Sequence, residues 1–160
     1  KLAVVKPDLN WQPSDINQLQ IASIQSWCKD YDLVNVRPPV ILNATKIGWS
    51  SKFNGQQFIL LVNLIHLISQ NEAAILIGEI SGALAPGGRV IIYGPFKRDN
   101  KLTSAGDQTF HQSLIEADPQ IGYKNDAWMI AKFKEAKLEL LKVAQMPANN
   151  LAFIFERPRM

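Results

Sequence analysis

The amino-acid sequence predicts an α/β protein built on a mostly parallel sheet with an antiparallel edge, and three observations carry that prediction. Short apolar, β-branched runs recur at residues 40–42, 58–62 and 89–93, the pattern of strands buried on both faces of a parallel sheet. Segments with apolar residues three and four apart stand between them, as crossover helices do. The last two apolar runs, 138–146 and 151–156, are joined only by Pro147-Ala148-Asn149-Asn150. That linker is too short for a crossover, and its residues suit a reversal, so the final pair is expected to be an antiparallel hairpin.

Taken in order, residues 1–7 read as the end of a helix, with Leu2, Ala3, Val4 and Val5 apolar and no cap before them. Residues 9–13 read as a short strand. Ser14 or Asp15 then caps a helix over 16–30, whose buried face holds Leu19, Ile21, Ala22, Ile24, Trp27 and Cys28. Residues 34–36 are extended, Pro38-Pro39 prevents helix, and Val40-Ile41-Leu42 is a buried strand ending at Asn43. Residues 44–57 read as a surface loop or a frayed helical turn anchored by Trp49 and Phe53. The strand at 58–62 ends at Asn63. A helix over 72–84 follows, with Ala74, Ile75, Ile77, Gly78, Ile80 and Leu84 inward. Pro86-Gly87-Gly88 stops it, because proline removes a helical hydrogen bond and glycine supplies positive φ. The next strand, 89–93, breaks at Gly94-Pro95. Residues 97–107 are a polar loop, 110–116 a short helix ended by Asp118-Pro119, and 126–136 a helix capped by Asn125 or Asp126 with Met129, Ile130 and Phe133 inward.

Composition bounds the function. One domain over residues 1–160 is expected, since the chain is long enough for a single core and no Ser/Gly-rich linker divides it. Hydrophobic residues make up 47% and charged residues 19%, values of a folded globular chain rather than a disordered one. The formal charge of +3 is dispersed, with only Lys97-Arg98 and Arg157-Pro158-Arg159 as denser spots, which argues against a nucleic-acid partner. A single cysteine, Cys28, excludes an internal disulfide. The longest apolar run, 58–68, is interrupted by Asn63 and His66 and falls well short of the roughly 20 residues a membrane helix needs. An intracellular soluble protein, cytoplasmic or organellar, with no membrane span is therefore the expectation. The sequence shows no secretory signal and opens on Lys1, so its natural start is expected to lie elsewhere.

Three strands end on polar side chains: Asp15, Asn43 and Asn63. Ligands of open α/β sheets sit at the carboxyl ends of the strands, where a carboxylate can accept from two ribose hydroxyls and an amide can pair with a purine edge. The spacing fits a nucleoside-bearing cofactor, and it equally fits a helix cap at Asp15 and turn formers at the two asparagines. His66, three residues past Asn63, can act as a base or donor near neutral pH, or serve as a satisfied structural histidine. The loop from Tyr93 to Phe96 is a candidate site wall. His111, in a polar segment, is expected to be exposed. Two separated histidines without a carboxylate at ligand spacing give no metal site.

The strings Trp11-Gln12-Pro13-Ser14-Asp15-Ile16, Asn35-Val36-Arg37-Pro38-Pro39, Asn63-Leu64-Ile65-His66, Leu84-Ala85-Pro86-Gly87-Gly88, Tyr93-Gly94-Pro95-Phe96 and Met146-Pro147-Ala148-Asn149-Asn150 follow one another in this order. In order and spacing the chain resembles the methyltransferase-like protein 26 family, a branch of class I S-adenosylmethionine-dependent methyltransferases. The resemblance implies a Rossmann-like sheet of seven strands, the last reversed, with helices on both faces. It implies S-adenosylmethionine as cofactor, with Asp15 and the adjoining Ile16 at the ribose, Asn43 and Ala44 flanking the adenine, and Asn63 near the methionine end. His66 and Tyr93 would be the catalytic residues, and Phe96, Asn149 and Asn150 would stand on the substrate side. The acceptor would be an unknown small molecule or a protein. The family's first strand and glycine-rich loop would precede Lys1, so the domain is expected to be incomplete at its N-terminus. Two functions follow: methyl transfer once that segment is supplied, or an inactive methyltransferase-fold subunit with a partner protein completing the sheet.

Overall fold

A computed structural model describes residues 2–159 and divides the chain into two units, Lys1–Ala44 and Thr45–Met160. The first holds α1 (Leu2–Val5), β1 (Ser14–Asp15), α2 (Gln18–Asp30) and β2 (Val40–Ile41). β1 and β2 are parallel, with Ser14 opposite Val40 and Asp15 opposite Ile41, and a Trp11–Val36 bridge precedes them. The strand expected at 9–13 is thus shifted forward. Pro13 has no N–H to donate, and the ladder runs instead through carbonyls that accept: Pro13 O from Val40 N at 3.0 Å and Asp15 O from Leu42 N at 2.9 Å. Asp15 is consequently a strand residue, and the α2 cap is Asn17, whose Oδ1 accepts from Leu19 N at 2.8 Å. The Asn35 amide ties the entry of this unit together by donating to the carbonyls of Ala3, Lys6 and Leu9 at 3.0, 3.2 and 3.0 Å.

Two packing expectations fail here. Of the face assigned to α2, only Ile21 is buried, while Leu19 is 76% and Trp27 58% exposed. Trp27 stacks instead on Tyr31, ring centroids 5.4 Å apart. β2 is not a buried strand either, since Ile41 is 61% exposed. A two-stranded sheet offers too little apolar surface to cover a helix.

The second unit holds α3 (Trp49–Lys52), β3 (Gln56–Val62), a 3-10 turn (Ile65–Leu67), α4 (Gln70–Ala83), β4 (Leu84–Pro95), α5 (Ala105–Ala117), α6 (Asp126–Glu135), β5 (Glu139–Gln145) and β6 (Asn150–Glu156). Its sheet runs β3-β4-β6-β5, with β4 parallel to β3 and antiparallel to β6, and β5 antiparallel to β6. The α/β character and the terminal hairpin are present as expected, but only β3–β4 is parallel in this sheet, where a mostly parallel sheet with an antiparallel edge was expected, because β6 inserts between β4 and β5. The hairpin turns on Ala148 and Asn149, both at positive φ (56° and 59°), the backbone a two-residue type I′ reversal requires.

α4 starts earlier than residue 72 because Ser69 and Glu72 form a reciprocal capping box. Its buried residues are Ala73, Leu76, Ile77, Ile80 and Ala83, a face rotated from the one expected, and Gly78 is exposed. The helix passes into β4 without a loop. Leu84 pairs with Gln56 and Arg89 with Phe58, so residues 85–88 bulge out of the strand, and Pro86-Gly87-Gly88 forms this bulge instead of a stop between elements. Gly87, at φ 77°, donates to Arg157 O at 2.7 Å, and Arg157 N returns a bond to Gly88 O at 2.9 Å. The Arg157 guanidinium also caps the end of α4 by donating to Ser81 O at 3.1 Å and Leu84 O at 2.6 Å.

The core lies on one face of this sheet. Val90 and Ile92 of β4 and Leu151, Phe153 and Phe155 of β6 are buried there, and Phe133 of α6 stacks on Phe155 at 4.0 Å. Ile91 and Tyr93, on the other face, are only half-buried. β4 is therefore buried on one face, where burial on both was expected, and it continues through Gly94 to Pro95, which pairs with Asn150. No helix among the described residues is long and apolar enough to cross a membrane.

Candidate functional site

In the second unit, chemistry-bearing side chains gather where β3 and β4 end. Asn63 leaves β3 at φ 55°, a left-handed conformation asparagine tolerates, while its N–H donates to Tyr93 O at 2.9 Å. The sharp turn sends the chain into the 3-10 turn, which carries His66 inward until it is 5% exposed. Its ring meets Phe110 at 5.7 Å and Tyr123 at 6.1 Å, both edge-on. Its Nδ1 is buried without a hydrogen-bond partner. Burial, followed by the charge of Lys124, lowers its pKa, so the ring is neutral at neutral pH.

Tyr93, on β4, accepts at its hydroxyl from Asn150 Nδ2 at 3.1 Å. Phe96 is buried edge-on to Phe153, centroids 4.9 Å apart. Asn149 donates from Nδ2 to Asp107 Oδ2 at 3.2 Å, and its carbonyl accepts from the Arg98 guanidinium at 3.0 Å. In the first unit, Asp15 Oδ1 accepts from Asn17 N at 2.8 Å, Ile16 is 63% exposed, and Asn43 and Ala44 follow β2 half-buried.

Sequence reasoning missed a second polar group. Asp107 gathers four donors: Thr103 Oγ1 at 2.6 Å, Ser104 Oγ at 2.8 Å, Tyr123 OH at 3.2 Å and Asn149 Nδ2. Burial works to raise its pKa, but these hydrogen bonds outweigh it and hold the carboxylate below its usual range. The same burial, with the Asp107 charge and hydrogen bond, pushes Tyr123 up to about 12. His111 is 8% exposed, contrary to the expectation of a surface residue. α5 begins at Ala105 rather than near 110, which places His111 one turn beyond Asp107 on the same face. The available signal was Ser104-x-x-Asp107, a helix-start pattern. His111 Nδ1 accepts from Tyr123 N at 3.0 Å.

Lys124, 4% exposed, donates to the carbonyls of Ile68 and Gly122. Burial lowers its pKa to about 8, with Glu72 and Asp118 opposing. The folded chain therefore holds fewer protons here than the unfolded chain between about pH 8 and the ordinary lysine value of 10.5, and stability rises with pH across that window. We expect urea unfolding to show the stability of wild type relative to Lys124→Met increasing from pH 8 upward; a flat difference would refute the shift.

Ser69, Gln70, Asn71, Lys97, His111 and Lys124 face a cleft of about 570 Å³. None of the residues given a site role from the sequence lines it, although its wall touches His66 through Gly122 N, which donates to His66 O at 2.9 Å. Among the described residues no group of three or more His, Cys, Asp or Glu could hold a metal ion.

A family model described as "Protein of unknown function (DUF938)" matches residues 2–157. The chain belongs to the DUF938 family. Solved structures place this DUF938 chain in the methyltransferase fold. An O-methyltransferase family protein from Burkholderia thailandensis matches with a TM-score of 0.80 at 21% identity, over 99% of this chain and 47% of that one. A putative O-methyltransferase from Nostoc punctiforme matches with a TM-score of 0.82 at 15% identity, over 97% and 46%. PigF with SAH matches with a TM-score of 0.79 at 12% identity, over 97% and 45%. The DUF938 chain thus spans about half the length of these structures, and identities this low establish the shared fold alone.

Proposed function

We propose that this chain is an S-adenosylmethionine-dependent methyltransferase domain of the methyltransferase-like protein 26 type, acting with a glycine-rich strand and loop supplied outside the described residues. The observation that carries the reading is the placement of antiparallel β6 between β4 and β5, which matches the reversed last strand that the sequence resemblance implies.

Asp15 fits the ribose. It ends β1 half-buried, with Oδ1 committed to Asn17 N and its other oxygen able to accept from a diol. Ile16 adjoins it, Asn43 and Ala44 are assigned to the adenine, and Asn63 to the methionine end. The cofactor, when bound, supplies a methyl group on a sulfonium, so the protein's task is to align a nucleophile and exclude water. His66 suits proton removal from an acceptor hydroxyl or amine, because its ring is neutral and Nδ1 is unpartnered. Tyr93, held by Asn150, orients the acceptor, with Phe96 and Asn149 on the substrate side. The acceptor is a small molecule or a protein.

A second reading, an inactive subunit whose partner protein completes the sheet, is favoured by the apolar surface of the first unit. Leu19, Trp27, Val34 and Ile41 are all more than half exposed there, and a partner would cover them. Calorimetric titration of the full-length protein with S-adenosylmethionine separates the two. We expect binding that Asp15→Ala weakens about tenfold or more, the loss of a charged hydrogen-bond acceptor. No heat from wild type would sink the methyltransferase reading and favour the second.

A further inference from the structure

The cleft at the start of α4 has no part in that reading. We propose that it binds an oxyanion, the carboxylate or phosphoryl group of a small polar ligand, between Lys124, Lys97 and the His111 ring. Its volume of about 570 Å³ lies in the range of small-ligand sites.

Three donors converge there. The Lys124 ammonium spends two of its N–H groups on the carbonyls of Ile68 and Gly122, which leaves a third and fixes the nitrogen in place. No carboxylate among the described residues pairs with it, the ion pairs being Arg89–Glu156 and Lys132–Glu135. Glu72 and Asp118 act on it only through their field. A buried ammonium without a contacting counter-charge is costly, and a bound oxyanion would offset that cost. The second donor is His111. Because Nδ1 accepts from Tyr123 N, the ring proton sits on Nε2, a donor that has no partner among the described residues. The ring lies close against Gly122, where a Cβ would come within 2.8 Å of His111 Cε1 and Nδ1. Gly122 holds φ 113°, so this glycine both makes the turn and admits the imidazole. The third donor is Lys97, whose backbone is pinned on both sides: its N–H donates to Lys124 O at 2.9 Å and its carbonyl accepts from Asp126 N at 3.0 Å.

Helix α4 adds to these. The capping box satisfies the N–H groups of Ser69 and Glu72, while those of Gln70 and Asn71, in the first turn of a 14-residue helix, have no intrahelical acceptor. Both residues line the cleft, where the helix end favours negative charge.

The inference stands or falls by binding alone, independently of methyl transfer, so the cofactor titration above cannot decide it. Amide resonances of Gln70, Asn71 and Gly122 in the 15N-labelled full-length protein are followed while inorganic phosphate or benzoate is added at matched ionic strength. We expect saturable shifts with at least one anion, and binding weakened about tenfold in Lys124→Met and in Lys97→Gln, the loss of one charge-assisted contact. Saturation by phosphate assigns a phosphoryl ligand, and saturation by benzoate a carboxylate. Absence of saturable shifts with either, or affinity unchanged by Lys97→Gln, overturns the proposal. Lys97→Gln decides the matter should Lys124→Met fail to fold.

Discussion

Truncating Phe155 to alanine is expected to cost the second unit about 3–5 kcal/mol, the range for removing a fully buried aromatic ring. The side chain is 0% exposed. It stacks on Phe133 with centroids 4.0 Å apart and planes 6° from parallel, and it stands beside Phe153 at 6.1 Å. β6 lies between β4 and β5, so the cavity would open inside the sheet, at the point where α6 packs on β6 through Phe133. The consequence reaches the candidate site, because Asn150 at the start of β6 positions the Tyr93 hydroxyl. Urea unfolding followed by far-ultraviolet dichroism would show the midpoint falling steeply. Phe155→Leu, which keeps most of the volume, should recover much of the loss. A cost for Phe155→Ala below about 1 kcal/mol would contradict the packing described.

Gly88→Ala is expected to destabilise the same unit by about 3 kcal/mol, at the upper end for a forced steric insertion. An added Cβ would lie 2.6 Å from Gln56 O and 2.8 Å from Ala85 O, both backbone atoms that no rotamer change can move. Retreat on the other side is blocked, since Gly87 N and Gly88 O are both bonded to Arg157. β3 and β4 would have to separate at the bulge that carries α4 into the sheet. In calorimetry this corresponds to a fall in Tm of roughly 10 °C. Gly78→Ala is the matched control: Gly78 is exposed in the middle of α4 with nothing within 4 Å of an added Cβ, so alanine should stabilise by about 0.5–1 kcal/mol through helix propensity. Equal effects of the two substitutions would show that backbone crowding at Gly88 is not the cause.

Much of the second unit was legible because its signals are local. The hairpin followed from two apolar runs with Pro-Ala-Asn-Asn between them, and Ala148 and Asn149 take the positive φ that such a reversal needs. The β-branched run around Ile91 and Ile92 formed its strand, and Asn125 capped α6 as expected. Pro86-Gly87-Gly88 was read as a stop because proline and glycine act that way in isolation. Its true form, a bulge inside β4, depends on Gln56 and Arg157, which are distant in sequence.

The site divides along the same line. Asn63 and His66 stand out in the sequence because a polar residue closing an apolar run is visible in one dimension. Asp107, His111, Tyr123 and Lys124 do not, because their partners belong to other segments: Asp107 to Asn149, Lys124 to Ile68, His111 to Tyr123. In the first unit, apolar periodicity marked a helix over 16–30, which the structure starts at Gln18, but misjudged its burial, since periodicity names a face without naming what covers it.

By itself, then, the sequence determined the α/β alternation and the terminal antiparallel hairpin, both set by propensity and spacing within a few residues. Only the tertiary structure decided which face of α4 is buried, that β4 is covered on one side, and that a buried lysine, two histidines and a carboxylate share one end of the sheet. Those outcomes depend on desolvation and hydrogen bonding between residues far apart in the chain, interactions that arise only when the fold brings them together.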